Sequence, residues 1–527
     1  MGMNSKNKKT YRRILIYGIF VVFLLISIAL LSNIIAYFNT GANQYISSFT
    51  KTAISTHTPE VNWSYSPSYD SDLLDDALRE TIEKAYVQSW YVINRSIESN
   101  SSIVAIDYLS PALKASLDTL LTNQKRWKIQ RVDLSHHLEV NLVSLDRQFI
   151  SFTDKDVEIK KLIWDRNSNE LISNTIEKAD YNVILALNDG IWRIQHIHKT
   201  SINRMPQKEM VGIENDSTFF SCEDGSFLMA GEKFNVRGVN YYPAYSPWLK
   251  FWDNFDIDTI QRDLRKALDL NFNTIRIFVP YGKFGKGTVS KKMLSRLDQL
   301  VTLTEELQLA MIITLFDFPE GYSLHQYAGT DRQLETIMTR YADKKTILAW
   351  DIKNEPDQDF NIHGKENVIN WLEFIIQRAR EYAPRQLITI GWSKSQYASL
   401  LSDKLDFVSF HYYNGAHQLQ STLDDLRTLL TDKTFMVQET GLPSSSYLFI
   451  PGGGSEKSQS EYLETVLNTL QKEGEIPYCL WTLYDFSDAP SEVFGWKPWI
   501  RHVQKNYGIL RVDGSLKPAS ELFLETD

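Results

Sequence analysis

The C-terminal part of the chain alternates between short apolar runs and stretches with helical periodicity. Eight apolar runs are separated by segments such as 257–270, in which apolar residues recur every three or four positions. The runs are 235–242, 274–280, 310–318, 347–356, 387–393, 407–413, 434–441 and 476–486. Eight repeats of strand and helix predict an α/β fold, a (β/α)8 TIM barrel over residues 223–527. An open doubly wound sheet is the alternative, but it would need a glycine-rich first turn, and GVNYYP at 238–243 is not one.

The region before the barrel has a different order, with helices first and strands afterwards. Apolar residues recur at helical spacing in 71–94 and again after Ser110, and four runs with strand character follow. This order predicts a small α+β domain over residues 70–203. Its layout resembles the cone-shaped NTF2-like fold.

Two connecting segments complete the predicted domain organisation. Residues 39–69 lack apolar periodicity and are expected to be a spacer, and residues 204–222 are expected to be a linker. We find no catalytic constellation in the small domain. It is therefore expected to be a spacer or a docking module, for a partner that the sequence does not identify.

The N-terminal segment has the pattern of a membrane anchor. Residues 14–38 contain no charge in 25 positions, which is long enough for a helix to cross a bilayer. Lysines and arginines occupy the preceding tail, residues 1–13, and the first acid after the span is Glu60. The positive-inside rule then predicts a single-pass protein at the cell membrane, with a cytoplasmic N-terminus and an extracellular catalytic domain. A cleaved signal peptide is the alternative, but its apolar core is usually only about 7–15 residues long.

Composition excludes several classes of protein. The 527 residues are 43% hydrophobic and 23% charged, which is ordinary for a globular protein and excludes a disordered chain. The net charge is −9 and the only basic tract is the N-terminal tail, so no nucleic-acid partner is expected. Two cysteines, Cys222 and Cys479, exclude a disulfide framework and a cysteine-rich metal site. Without a metal-binding motif, no metal or other cofactor is expected.

Two of the predicted barrel strands end in glutamates. Strand four ends in Asn354-Glu355-Pro356, and strand seven ends in Gln438-Glu439-Thr440. A carboxylate at the end of an apolar strand is unfavourable unless it has a partner or a function. On nearly opposite strands, the two side chains are expected to face each other across the mouth of the barrel. Two carboxyl groups about 5–5.5 Å apart are typical of a retaining glycosidase.

Six segments in barrel order resemble glycoside hydrolases of the cellulase-type family 5, part of a clan of (β/α)8 barrels with catalytic glutamates on strands four and seven. They are RGVNYY (237–242), TIRIF (274–278), WDIKNEP (350–356), SFHYY (409–413), VQETG (437–441) and LWTLYDF (480–486). The resemblance implies that Glu355 is the acid/base and Glu439 the nucleophile.

The same resemblance implies supporting roles for seven other residues. Asn354 would bind the sugar 2-hydroxyl, Arg276 would keep Glu439 ionised, and Trp481 would form an apolar floor beneath the sugar. His411 and Tyr413 would orient or hydrogen-bond the same carboxylate. Asn240 and Tyr241, in the first segment, would support or contact the substrate. An arginine beside one glutamate but not the other is expected to separate the acidities of the two.

Aromatic residues in the loops after strands one and eight suit the flat faces of sugars. They are Tyr241, Tyr242, Tyr245, Trp248, Trp252, Tyr484, Phe486, Trp496 and Trp499. About half of them are expected to be core packing instead. The end of the third strand differs from the family pattern. The family often has Asp-x-His there, whereas this chain has Asp317-Phe318-Pro319 and lacks the histidine. Asp317 is expected to cap the following turn or to contact the substrate.

These features predict a membrane-anchored, extracellular, retaining β-glycoside hydrolase that acts on a glucan- or mannan-type polysaccharide or oligosaccharide. A transglycosidase with the same site is one alternative. A non-catalytic protein that binds carbohydrate or assists polysaccharide assembly is another. The sequence does not determine which sugar is recognised, which linkage is cleaved, or whether cleavage occurs within the chain or at its ends.

Overall fold

The structure is a computed structural model. It describes residues 57–67, 69, 73–102, 105, 107–123, 127–168, 170–200, 203–204, 218–223, 225–317, 321–431, 433–445 and 454–524. The predicted membrane span at 14–38 lies outside these residues. Within the described ranges, a helix with the length and apolarity needed to cross a bilayer is not found.

The C-terminal part forms a closed barrel of eight parallel strands in sequence order, which confirms the predicted fold. The last strand pairs with the first, with Val239 opposite Leu480, and this pairing closes the cylinder. The strands are β10 (Arg237–Asn240), β11 (Thr274–Pro280), β12 (Ala310–Asp317), β13 (Ile347–Asn354), β14 (Leu387–Trp392), β15 (Val408–Tyr412), β16 (Phe435–Thr440) and β17 (Tyr478–Leu480). Each lies within one of the eight predicted runs.

Helices surround the barrel because each has one apolar stripe. In the helix Ile257–Asp269, Ile260, Leu264 and Ala267 are buried at helical spacing, and the side chain of Asp256 caps the N-terminus. The helices of the barrel domain are α3 (Leu249–Asp253), α4 (Ile257–Asp269), α5 (Tyr281–Phe284), α6 (Lys291–Glu306), α7 (Tyr327–Tyr341), α8 (Phe360–His363), α9 (Lys365–Tyr382), α10 (Leu419–Leu429), α11 (Glu456–Lys472), α12 (Ser491–Phe494) and α13 (Pro498–Gln504).

A small three-stranded sheet covers the end of the barrel opposite the strand C-termini. It is formed by β7 (Phe220–Glu223), β8 (Ser226–Met229) and β9 (Glu232–Lys233). Phe220 and Phe227 pack in one apolar cluster with Leu348, Met436 and Cys479 from the barrel strands. This end of the barrel is therefore apolar and closed, and polar chemistry is left to the other end.

The N-terminal domain is a mixed sheet with two helices. Its elements are β1 (Glu60–Tyr65), α1 (Asp76–Ser99), α2 (Pro111–Asn123), β2 (Trp127–Val143), β3 (Phe149–Asp165), β4 (Leu171–Asn188), β5 (Ile191–Lys199) and β6 (Asn203–Arg204). The long strands β2 to β5 pair antiparallel, and β1 adds to the edge of β2 in parallel. The sequence placed β1 in the spacer, and this was wrong, because Glu60–Tyr65 is part of the sheet.

The two domains share a packed interface. Val132 and Leu134 of β2 are buried in the same apolar cluster as the barrel. Arg378 of α9 contacts Glu158 of β3 at 3.4 Å, and Asn174 of β4 donates to Glu373 at 3.0 Å. The small domain is therefore docked against helices α7 and α9.

The first described residues reinforce this docking. The guanidinium of Arg332, on α7, donates to the carbonyl oxygen of Thr58 at 2.8 Å and to its hydroxyl at 3.1 Å. The neighbouring His57 contacts Asp133 of the small domain at 2.9 Å. This short segment thus bridges both domains.

Candidate active site

Glu355 and Glu439 meet at the C-terminal end of the barrel. One carboxylate oxygen of each glutamate and a ring nitrogen of His411 lie within 4.8 Å of one another. Glu439 is nearly buried, whereas the side chain of Glu355 is 25% exposed. This separation is in the range in which one carboxylate attacks a sugar carbon while the other exchanges a proton.

The backbone of Glu355 leaves the strand in a left-handed conformation, with φ 47° and ψ 51°. A non-glycine residue there is strained by about 1–2 kcal/mol and needs support from its surroundings. The amide of Glu355 donates to the carbonyl oxygen of Gly391 on the adjacent strand at 2.7 Å. This contact holds the glutamate at the point where the strand ends.

Arg276 is the buried cation of the site and lies in the middle of β11. One terminal nitrogen donates to Oε1 of Glu439 at 2.5 Å and to Oδ1 of Asn240 at 2.9 Å. The other donates to Asp351 at 2.7 Å and to Asn354 at 2.8 Å. The guanidinium has no exposure to solvent. Four neighbours therefore fix its plane, and it fixes Glu439 in turn.

Asn240 acts on the site through Arg276. Its amide nitrogen donates to the carbonyl oxygens of Gln438 and Leu480, at 3.1 and 3.0 Å, and its oxygen accepts from Arg276. Because Asn240 is fully buried, it positions the arginine and ties the first strand to the last two.

His411 contacts both glutamates, whereas Tyr413 contacts only one of the two, Glu439. Nδ1 of His411 is 2.8 Å from Glu355 and 3.4 Å from Glu439, and the hydroxyl of Tyr413 donates to Oε2 of Glu439 at 2.8 Å. The expectation that both serve one carboxylate is therefore met only in part. His411 joins the two glutamates, and Tyr413 holds one of them.

The protonation of Glu355 depends mainly on His411. Burial alone would raise the pKa of Glu355, but the hydrogen bond from His411 and the charges of Lys353 and Arg276 lower it below its ordinary value. Burial opposes the charged form of His411, yet Glu439 and Glu355 raise its pKa. The expectation that Arg276 alone separates the two glutamates is thus incomplete, because His411 draws Glu355 towards the ionised form.

Asp317 is a third acid at this end of the barrel. It is buried at the end of β12, and burial raises its pKa to about 7, with Lys353 and Arg276 in partial opposition. Phe318 and Pro319, which complete the divergent segment, lie outside the described residues, so turn capping stays a prediction.

Aromatic rings form a stack on one side of Arg276. The ring of Phe278 lies 4.5 Å from the guanidinium carbon, Tyr242 stacks on Phe278 at 5.3 Å, and Trp481 packs edge-on against Phe278 at 5.9 Å. Trp481 is 9% exposed. Its role as an apolar floor beneath the sugar stays a prediction.

Tyr241 does not lie at the site, and its predicted role is wrong. It follows Asn240 on the strand and so points to the opposite face, where its hydroxyl donates to Asp263 of α4 at 2.9 Å. Of the other loop aromatics, Trp252 is fully buried, whereas Tyr245 and Trp496 are largely exposed. The division into core and surface rings is close to the expected one.

Two residues of the site were missed by the sequence reasoning. Asp351 accepts from Arg276 and Thr314 through one oxygen and from the amide of Gly391 through the other. Gln358 donates to Glu355 at 2.5 Å. A charge in the middle of the apolar strand ILAWDIKN was a signal for Asp351, by the same logic that identified Glu355. Gln358 lies in the short 3-10 helix Pro356–Asp359, and its sequence carries no such signal.

Position 391 requires a glycine because the side chains of Gln438 and His411 lie directly against it. A Cβ atom at this position would lie 2.4 Å from Oε1 of Gln438 and 3.1 Å from Nε2 of His411. Any larger residue would therefore displace the histidine that joins the two glutamates.

Glu355, His411 and Glu439 are also close enough together to reach one cation. However, the oxygens of Glu439 already accept hydrogen bonds from Arg276 and Tyr413, and a metal ion would have to displace these donors. The arrangement is suited instead to nucleophilic attack by one carboxylate and proton transfer by the other.

Solved structures of glycosidases resemble this chain. An exo-β-1,4-mannosidase from an Opitutaceae bacterium (strain TAV5) is 21% identical, with a TM-score of 0.47, over 59% of this chain and 61% of that one. A β-glucuronidase from Ruminococcus gnavus is 14% identical, with a TM-score of 0.45, over 75% of this chain and 68% of that one.

Curated relatives are fungal. Mannan endo-1,4-beta-mannosidase A of Emericella nidulans is 24% identical over 241 residues, which are 36% of this chain and 62% of that protein. A probable mannan endo-1,4-beta-mannosidase A of Aspergillus flavus is 25% identical over 210 residues, 32% of this chain and 53% of that protein. The chain thus spans between 53% and 62% of the length of these relatives. Residues 228–487, which contain all eight barrel strands, match the cellulase family, so the barrel is a glycosyl hydrolase family 5 domain.

Proposed function

We propose that this protein is a retaining β-glycoside hydrolase that cleaves the backbone of a β-1,4-linked mannan. The observation that carries the proposal is the carboxylate pair, with oxygens of Glu355 and Glu439 within 4.8 Å and different partners on each. Arg276 and Tyr413 hold Glu439, while His411 contacts Glu355. Glu439 is thus held by two donors, and the side chain of Glu355 is 25% exposed, where a proton can be exchanged.

In the first step, an oxygen of Glu439 attacks the anomeric carbon and the bond from that carbon to the leaving sugar breaks. Glu355 gives its proton to the departing oxygen. Arg276 and Tyr413 leave Glu439 no room to rotate, so the attacking oxygen is already in place. Asn354, oriented by its 2.8 Å contact with Arg276, is placed to bind the 2-hydroxyl of the same sugar.

In the second step, Glu355 takes a proton from water, and the water oxygen attacks the anomeric carbon. The bond to Glu439 then breaks, and the carboxylate is restored. Once Glu439 is esterified its charge is gone, and the environment of Glu355 changes between the two steps. His411, which contacts both carboxylates, is the group that responds to this change.

The choice of mannan is supported by the names of the curated relatives, which are mannan endo-mannosidases. Trp481, which is 9% exposed, suits the apolar face of a neutral hexose, with Phe278 and Tyr242 packed behind it. Internal cleavage follows the same relatives and is part of the proposal.

We further propose that the enzyme works outside the cell, attached to the membrane by residues 14–38. The support is the absence of charge over 25 positions and the basic tail before them. Membrane fractionation and protease accessibility in intact cells test this. We expect the full chain in the membrane fraction with its barrel open to external protease, and a protected barrel would contradict it.

The activity is tested by incubating the full-length protein with β-1,4-mannan, β-glucan and xylan and analysing the products. We expect internal fragments of mannan with retained anomeric configuration, measured by NMR at early times. Products longer than the substrate would identify a transglycosidase. Binding of mannan without cleavage would identify a non-catalytic carbohydrate-binding protein.

A further inference from the structure

A second concave site lies where the small domain meets the barrel. It is a cavity of about 550 Å³, a size typical of small-molecule sites. His57, Asn94 and Arg131 line it from the small domain, and Tyr322, His325 and Asn370 line it from the barrel. Neither domain forms this cavity by itself.

Polar atoms at this cavity are buried without partners. Nδ1 of His57, Oδ1 of Asn94 and Nε of Arg131 have no hydrogen-bond partner among the residues that the structure describes. His57 and Asn94 are 4% and 5% exposed. Their other polar atoms are bound, because Nε2 of His57 contacts Asp133 at 2.9 Å and Nδ2 of Asn94 donates to Asp133 at 2.7 Å. The two side chains are therefore held in place, and each keeps one unused polar atom.

The unused atoms suit hydroxyl groups. Oδ1 of Asn94 accepts and Nε of Arg131 donates a hydrogen bond, while Nδ1 of His57 takes either role according to its protonation. A hydroxyl group both donates and accepts. The charge of Arg95 is paired with Glu98, and the guanidinium of Arg131 lies over the ring of Trp90. The lining therefore favours a neutral polyol over an anion.

Tyrosine and histidine rings form another part of the cavity lining. His57 and Tyr91 lie 5.6 Å apart, Tyr91 meets His325 edge-on at 6.4 Å, and Tyr322 meets His363 at 5.3 Å. Aromatic faces combined with hydroxyl-binding groups are suited to a sugar.

The cavity lies at the same end of the barrel as the carboxylate pair. Its barrel residues follow β12 and β13, the strands that end at Asp317 and beside Glu355. The hydroxyl of Tyr322 donates to Asp359, and Lys353 contacts the same carboxylate at 3.3 Å. A chain of contacts thus leads from the cavity wall to the strand of the acid/base residue.

We propose that this cavity is a sugar subsite, which binds one or two neutral hexose units of the same glycan chain that is cleaved at Glu355 and Glu439. The proposal rests on the proposed glycosidase function. It gives the small domain a role in substrate selection, because a glycan that reaches the cavity is held by both domains. Long oligosaccharides then gain binding that short ones do not.

The test blocks the cavity from its exposed rim. Ser323, an exposed residue of the lining, is changed to Trp, and the exposed Ser421 on α10 is changed to Trp as a matched control. We compare kcat/KM of the full-length protein on mannohexaose and mannotriose. Ser323→Trp is expected to lower kcat/KM on the hexaose about tenfold through KM, with the triose unchanged. Ser421→Trp is expected to leave both unchanged.

If Ser323→Trp lowers kcat/KM equally on both substrates, or changes it on neither, the proposed subsite is wrong. A second variant, Asn370→Ala, removes one polar group without filling the cavity and is expected to weaken hexaose binding in the same direction. Its melting temperature is measured to separate a folding defect from a binding defect.

Two further outcomes are distinguishable. If the wild type cleaves no oligosaccharide of any length, the proposed function fails and the subsite fails with it. If the wild type cleaves and inorganic phosphate inhibits only hexaose cleavage, competing with the hexaose, the cavity is an anion site and the neutral-sugar assignment is overturned.

Discussion

Two buried cations, Arg276 in the barrel and His136 in the small domain, are each held between two carboxylates, but their surroundings differ. Arg276 donates to Asp351 and Glu439, and beyond Glu439 the network continues to Glu355, whose side chain is 25% exposed. This network therefore begins in the core and ends at solvent.

The network of the small domain is closed. His136 contacts Asp133 at 2.9 Å and Asp154 at 2.7 Å, and both carboxylates have no exposure. Asp154 also accepts from Tyr86 and from the amide of His137, and Asp133 also accepts from Asn94 and contacts His57. Burial opposes the charge on His136, but Asp154 and Asp133 raise its pKa to about 10.

The difference teaches that a buried ion pair is not by itself a mark of catalysis. With both carboxylates buried, such a network stabilises one fold and presents no carboxylate to solvent. When one carboxylate is partly exposed, as Glu355 is, the same arrangement presents that carboxylate to a ligand. Four substitutions break or sharpen this contrast.

The largest expected effect is on turnover. Glu439→Gln keeps the shape of the side chain but removes the attacking anion, and we expect kcat to fall about 10⁴-fold. Mannotriose cleavage measures this, with the exposed Glu464→Gln on α11 as the control. Undiminished turnover by Glu439→Gln would assign the nucleophile to another residue.

In the closed network, the effect is expected on stability instead. His136→Gln leaves Asp133 and Asp154 buried without their cation, and the free energy of unfolding should fall by about 3–5 kcal/mol, with kcat on mannotriose kept. Because the folded-state pKa of about 10 lies above the ordinary 6.5, the stabilisation is complete below pH 6.5 and is lost as the pH rises towards 10. Denaturation of the wild type and of His136→Gln at pH 6 and pH 9 measures this. If the free energy of unfolding changes equally with pH in the two proteins, the prediction is contradicted.

Asp317 shows the effect of burial on a carboxyl group. Its pKa of about 7 means that the folded form stays neutral while the unfolded form ionises above the ordinary 3.8, so the wild type loses stability between these values. Asp317→Asn does not titrate, and we expect it to gain about 2 kcal/mol relative to the wild type between pH 4 and pH 7. The exposed Asp425→Asn on α10 serves as the control. If the difference in free energy of unfolding between Asp317→Asn and the wild type does not change with pH, Asp317 is ionised in the folded protein.

The smallest expected effect is on the pH dependence of the reaction, which the proton of Glu355 determines. His411 lowers the pKa of Glu355, so His411→Ala should raise this pKa and move the alkaline limb of kcat/KM to higher pH. Tyr413→Phe, which removes a donor to Glu439 only, should lower the rate and leave that limb in place. An unmoved limb in His411→Ala would mean that another group sets the protonation of Glu355.

The features that follow from strand periodicity could be predicted from the sequence. The eight barrel strands, the glutamates at the ends of strands four and seven, and Arg276 within strand two all lie where the apolar runs indicated. Tyr241 was misplaced because the reasoning used its position in a motif and ignored the alternation that turns it away from Asn240.

Other features depend on contacts between distant segments. The strand Glu60–Tyr65 is short and only partly buried, so its pattern resembles a spacer until β2 is beside it. The contact between Gln358 and Glu355 depends on the path of a loop. The cavity between the domains requires both domains, and no sequence pattern within either one indicates it.

The bridge made by His57 and Thr58 determines where the protein can be cut for expression. A recombinant fragment beginning at residue 70 would lose β1 and leave its six partner residues on β2, 135–140, as an unpaired edge, a surface that promotes aggregation. It would also remove His57, one of the two histidine partners of Asp133, and the acceptors of Arg332. Fragments that start before residue 57 avoid these losses.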